Sequence, residues 1–223
     1  MIFLKSIKEE EILLKQLSGE LKHKDDWMWL LVNYKIPEDL IIKYKDKFFD
    51  NYLDLVTFYQ DLSEEFLRNN VGNFNNICWD NICECQNVSE KFLLDYSNKI
   101  PHTGWNMLAK TKHLSNELIL KIFEILMHSQ TKISSFISVL IKNPKNVLSE
   151  ELLSKCIESH GFTNDLWNYI LTNYKLSNEF LLKHKQKIFH WNWDYLLKYQ
   201  DASEELINYI KEKRLNAVYR RSI

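Results

Sequence analysis

A serine set before acidic and apolar residues recurs along the chain at nearly constant spacing. The copies read "LSEEF" around Ser63, "VSEKF" around Ser89, "LSNEL" around Ser115, "LSEEL" around Ser149, "LSNEF" around Ser177 and "ASEEL" around Ser203, with "IPEDL" around Pro37 ahead of them. Successive anchors are 26, 26, 26, 34, 28 and 26 residues apart. Self-similarity at such a period is the mark of stacked supersecondary units that cannot bury their apolar faces alone.

The anchor reads as a helix N-cap, because a serine hydroxyl can accept from one of the unpaired N–H groups of a first helical turn. Pro37 has no such hydroxyl but suits a helix opening, where its missing N–H has no intrahelical use. The residue before each anchor is apolar (Ile36, Leu62, Val88, Leu114, Leu148, Leu176, Ala202), and so is the fourth after it (Ile41 to Ile207). That pairing is the hydrophobic staple. The third residue after each anchor is Leu or Phe, completing one face of a helix.

Upstream, the tenth residue before the anchor is Trp27, Leu53, Trp79, Trp105, Trp167 or Trp193. An aliphatic residue follows three later, from Leu30 to Leu196, which marks the buried face of a preceding helix. The fifth copy fits if "NPK" at 143–145 is an insertion, which puts Phe136 in the Trp position and Val139 in the aliphatic one; the rest of its excess length belongs to a longer helix around Leu118 to Met127. Each unit is expected to be a first helix of about ten residues, a tight turn and a capped second helix of similar length, too short to be stable unless stacked. Ser6 and Glu9 have capping-box spacing, so residues 1–23 are expected to form a capping helix before the repeats at 24–210, with residues 211–223 as a basic tail. The expected fold is all-α, a single-domain, right-handed α-solenoid of about seven helix-turn-helix repeats.

Composition agrees with helices. The chain of 223 residues is 45% hydrophobic, enough to bury a core, and has only four Gly and three Pro, too few for the turns of a β-rich fold. A formal charge of −1 gives the whole chain no basic excess for general nucleic-acid binding. The opening "MIFLKSIKEEE" offers no signal-peptide core, no apolar run approaches a membrane span, and the four cysteines do not form a disulfide framework, so a cytoplasmic location is expected.

The frame that runs from "NW" through "YQ" and "LSEEF" to "NK" is seen in "WNWDYLLKYQDASEELI" at 191–207, "FYQDLSEEFL" at 58–67 and "YSNKI" at 96–100. It resembles the short tandem helical repeats of proteins from giant DNA viruses and bacteriophages. The likeness covers roughly residues 24–210, departs at Pro37, at Leu53 and in the long fourth and fifth units, and rests on structural positions. It implies an α-solenoid and a viral or mobile-element origin, and no functional residue carries over.

Candidate chemistry is sparse. Glu64 with Glu65, and Glu204 with Glu205, are carboxylate pairs, but they follow a cap, where the exposed N–H groups favour negative charge. Adjacent helical residues also point apart. Cys78, Cys83 and Cys85 have C-x4-C-x-C spacing, unlike a structural zinc site; on a helix Cys78 and Cys85 would share a face with Cys83 off it, and core or half-buried thiols are expected. His184 and His190 straddle an inter-repeat turn without a partner set, and Gly104 and Gly161 read as turn punctuation. No P-loop, dinucleotide fingerprint or nucleophile elbow is present, so neither a metal, a cofactor nor an enzymatic activity is expected.

Partner binding has better candidates. Trp29 and Trp191 each stand two residues from a core Trp, and Tyr169 and Tyr195 share the repeat position of Trp29. Such aromatics either broaden the packing between units or form an exposed hot-spot surface, which base stacking could also use. In the tail, Lys211, Lys213, Arg214, Arg220 and Arg221 against Glu212 give +4 and leave −5 for residues 1–210. These nine aromatic and basic residues are the expected contact set. The expected function is a protein-binding scaffold or inhibitor acting on a host factor, a defence factor among them; the alternative is single-stranded RNA bound along the solenoid, and a membrane role is not expected.

Overall fold

A computed structural model describes residues 24–126 and 130–219, and every element among them is helical. The Ser6–Glu9 cap, Met127, Arg220 and Arg221 lie outside the described residues. The chain divides into two compact units, residues 1–111 and 112–223, and the division falls between the two helices of the fourth repeat. The first unit holds α1 (Lys24–Asn33), α2 (Glu38–Lys43), α3 (Lys45–Tyr59), α4 (Glu64–Asn70), α5 (Asn76–Cys85), α6 (Glu90–Asp95) and α7 (His102–Thr111). Its longer helices α1, α3, α5 and α7 lie side by side in chain order. In the second unit are α8 (Asn116–Leu126), α9 (Gln130–Lys142), α10 (Glu150–His160), α11 (Asn164–Asn173), α12 (Asn178–His184), a 3-10 turn (His190–Asn192), α13 (Trp193–Tyr199) and α14 (Glu204–Tyr219). Two rows are built there, α9 with α11 and α13, and α10 with α12 and α14.

The anchor serines cap as their spacing predicts. Ser63, Ser89, Ser115, Ser149, Ser177 and Ser203 each accept from the backbone N–H three residues on, at 3.0 to 3.4 Å, while Pro37 opens α2 with no side-chain cap. The second helices are shorter than expected: α2, α4, α6 and α12 have only six or seven residues. Tyr44 and Tyr96 leave helical geometry directly after α2 and α6, so the link to the next first helix starts early within a 26-residue period. Among the second helices, α8 and α10 of the long repeats have eleven residues and α14 has sixteen.

Burial follows the repeat frame. Trp27, Leu53, Trp79, Trp105, Phe136, Trp167 and Trp193 are all at most 9% exposed. Trp79 is typical: its ring meets Phe92 and Tyr96 of its own repeat at 6.1 and 6.0 Å and Phe74 edge-on at 5.8 Å. Gly104 is not a turn residue but a buried position inside α7, where a Cβ would come within 3.0 Å of Ile100 and 3.2 Å of the Cys83 sulfur. Gly161 does end α10, with φ of 66°. Core or half-buried thiols are found at Cys78 and Cys83, the latter facing Gly104 of the neighbouring helix, whereas Cys85 departs from that expectation and is exposed.

Repeats are joined by a buried carboxamide. Gln60, three residues before Ser63, donates to the carbonyls of Leu31 (2.7 Å) and Tyr34 (3.0 Å) and accepts from the N–H of Ile36 (2.6 Å), all in the preceding repeat. Gln86 does the same to Thr57 (2.7 Å), Gln60 (2.8 Å) and Leu62 (3.0 Å). Gln200 repeats it on Leu171 (2.6 Å), Tyr174 (2.7 Å) and Leu176 (3.0 Å). In the longer repeats Asn146 bonds the Leu114 N–H (2.9 Å) and the Lys112 carbonyl (3.2 Å), and the Tyr174 hydroxyl serves Asn146, Ile141 and the N–H of Leu148. The groups satisfied are those a helix leaves open at its C-terminal end.

A second bond closes the rim of the joint. Glu38 accepts from the N–H and hydroxyl of Ser63, Glu64 from the N–H of Ser89, Glu150 from the N–H and hydroxyl of Ser177, and Asn178 from the N–H of Ser203. Glu64 and Glu150, the first glutamates of their pairs, therefore reach the next repeat besides sitting at a helix N-terminus. That contact holds the Glu64 carboxyl below its usual range.

Two substitutions separate core from joint. Trp79→Ala should destabilise by about 3 to 5 kcal/mol through the cavity it leaves, read as a lowered thermal midpoint. Gln86→Leu keeps the volume but strands two carbonyls and an N–H, and should lower stability by about 2 kcal/mol or more, read from the midpoint of urea unfolding.

Candidate partner-binding surface

The last repeat concentrates exposed aromatic surface. Asn192 is fully buried and donates to the Asn164 carbonyl (3.1 Å) and the Asn168 side chain (2.5 Å), which ties the 3-10 turn to α11. With Trp193 and Leu196 facing inward, side chains spaced four apart fall on the opposite face. Trp191, Tyr195 and Tyr199 occupy it at 57%, 41% and 46% exposure, and Phe189, at the start of the 3-10 turn, is 43% exposed. Trp191 packs on His190 with centroids 3.6 Å apart, and Tyr195 stacks on Tyr199 at 6.2 Å. Lys198 lies 4.9 Å from the Tyr199 ring, and its hydrogen bond to that phenol raises its pKa.

The other candidates are placed differently. Trp29 is 51% exposed on α1 against Tyr34 (5.4 Å), in the first unit, whereas Trp191 and Tyr195 belong to the second. Tyr169 is only half-exposed, and its hydroxyl donates to the Lys142 carbonyl at 3.2 Å, so it serves the packing of α11 on α9. Lys211, Lys213 and Arg214 are exposed on α14, which runs without a break past residue 210. Arg214 is engaged by Asp194 (2.6 Å) and Lys213 lies over Tyr209 (5.5 Å). Sequence reasoning missed Phe189 and Tyr199; the spacing of four from Tyr195 to Tyr199 was the available signal.

Ser154 and His184 form a buried polar pair in the second unit. His184 has a partner after all: its Nε2 lies 2.9 Å from the Ser154 hydroxyl, and the Phe180 ring covers the imidazole at 4.8 Å. Both residues are buried, so the hydroxyl is closed off from solvent. Burial pushes the His184 pKa down, helped by Lys183 and Lys187 and opposed by Glu158. Cys156 is a buried thiol pushed up to about 12 by burial, the opposite of an activated nucleophile. Among the described residues no group of three or more His, Cys, Asp or Glu converges to hold a metal ion, and no helix is long and apolar enough to cross a membrane.

No family model, curated protein or solved structure matches the chain.

The His184 environment has a pH consequence. A histidine kept neutral by burial gives stability that is complete above its unfolded pKa of about 6.5 and is lost as the pH falls through that value toward the depressed folded one. Tyr44 and Tyr96 hold the equivalent repeat position. Thermal melts between pH 8 and pH 5 should therefore fall more for the native chain than for His184→Tyr.

Proposed function

We propose that the protein is a protein-binding scaffold, a short right-handed solenoid of seven helix pairs that binds a host factor and blocks it. The observation that carries the reading is the stripe of Trp191, Tyr195 and Tyr199. In a chain whose repeat-frame tryptophans are buried, these rings stand half in solvent without a core to fill. Large rigid aromatics of this kind are enriched among the residues that dominate interface energies. The solenoid reading is supported by the 26-residue step from Ser89 to Ser115, which carries the frame through the boundary between the two units. A viral or phage origin, a cytoplasmic site of action and a defence factor as target come from the resemblance of the repeats to those of giant viruses and bacteriophages.

Single-stranded RNA is the second reading. It is favoured by Lys198 beside the exposed rings, and opposed by the engagement of Arg214 with Asp194. The repeated polar side chains serve joints and caps, whereas one-base-per-repeat readers need base-facing side chains in each unit.

Affinity capture from host lysate, with and without nuclease, tests the proposal against that alternative. The expected result is a reproducible protein that survives nuclease, is lost with the double variant Trp191→Ala, Tyr195→Ala, and binds with weak dependence on salt. Recovery of nucleic acid alone, or an affinity that falls by about 10³-fold or more between low and moderate salt, would refute it.

A further inference from the structure

The last repeat ends in a joint that nothing among the described residues fills. The fourth residue after the core Trp is covered by the following repeat: Leu31, Thr57, Leu140 and Leu171 are each 0% exposed. Its counterpart in α13, Leu197, is 39% exposed. The backbone shows the same vacancy. At filled joints the N–H before the anchor (Ile36, Leu62, Leu176) goes to an incoming carboxamide, whereas the Ala202 N–H folds back onto the Gln200 carbonyl at 2.9 Å. The carbonyls of Leu197 and Gln200 are the two that a further Gln, Asn or Tyr would take.

The opposite end of the repeats carries the matching part. On α1, Trp29 stands exposed at the position where Asn81 and Tyr169 lean on the preceding helix, bonding the carbonyls of Asp54 and Lys142. Three residues before Pro37, in the clamp position, is Tyr34, and Tyr174 already fills a joint from that position with its hydroxyl. Charge alternates in the same register: Lys35 pairs with Asp61, Lys175 with Asp201, and the open edge ends on Asp201. An incoming Lys35 would continue the alternation.

We propose that the edge formed by Leu197, the Gln200 carbonyl and Ala202 takes α1 and Tyr34 of a second copy, so that the chain associates head to tail. Tyr34 fills the socket as Tyr174 does, and Trp29 covers Leu197. Pro37 has no N–H to offer Glu204, so this joint lacks the rim bond of the internal ones. The contact is heterologous, joining different surfaces of the two copies, so association can continue beyond the dimer. Trp191 and Tyr195 take no part in it, so the scaffold reading and this one fail separately.

Sedimentation velocity of the full chain over a wide concentration range is the test. The weight-average mass should rise with concentration, and Trp191→Ala with Tyr195→Ala should not change that. Leu197→Glu and Trp29→Glu alter exposed positions and should each hold a folded chain at monomer mass. Mixed together they should form a dimer and nothing larger, since each keeps one working edge. Tyr34→Phe removes only the hydroxyl and should weaken association about tenfold. The proposal is overturned by a native chain of monomer mass at every concentration. It is equally overturned if the two variants do not pair, if either charged variant associates like the native chain, or if Tyr34→Phe leaves association unaltered.

Discussion

The buried side-chain amide that reaches back into the preceding repeat is the interaction on which four of the described joints depend, those closed by Gln60, Gln86, Asn146 and Gln200. A short helix cannot end inside a packed stack without stranding carbonyls that water would otherwise solvate, and such stranded groups cost more than a single hydrogen bond returns. Gln60, Gln86 and Gln200 answer this with one donor pair and one acceptor each, aimed at two carbonyls and an N–H. The apolar interlock of Trp with Phe or Leu supplies the larger part of the stability. It is non-directional, however, and would tolerate a slip between neighbouring helices. The amide does not, so the clamp sets the register in which the tryptophans meet.

Where the period changes, the clamp changes with it. The insertion before Ser149 moves the chain, and Asn146 reaches what Gln reaches elsewhere; the next joint is closed by the longer side chain of Tyr174. Arg68 shows the same economy of position on the second helices, bonding Glu64 and Asp95 while lying over Phe92 and Tyr96. Its counterpart in the longer repeat is Ser154, which meets His184 in the Tyr96 position. A buried histidine in place of tyrosine makes that one joint sensitive to protonation.

Binding surface in such a chain lies where the repeats stop being alike. Cap, staple and core positions are committed to the stack. Trp191 stands where the other repeats carry non-aromatic residues such as Ile77, Thr103 and Asp165, and Leu197 differs from its buried counterparts in exposure. Tyr169 and Tyr195 occupy the same repeat position, and one braces a neighbouring helix while the other faces solvent. Repeat position alone could not separate them, because exposure depends on what the neighbouring helix presents.

The sequence by itself determined the helical class, the anchors, the serine caps and the buried tryptophan face. These follow from short-range rules: a hydroxyl three residues from an N–H, and apolar side chains at helical spacing. It did not disclose that Gln60 and its equivalents are buried, that Glu64 and Glu150 reach the next repeat, or that Cys83 is covered and Cys85 is not. Those facts join residues more than twenty positions apart, and a local pattern gives no sign of a partner at that distance. Only the packing of one helix pair on the next decides which polar side chain is sealed in and which aromatic is left in water.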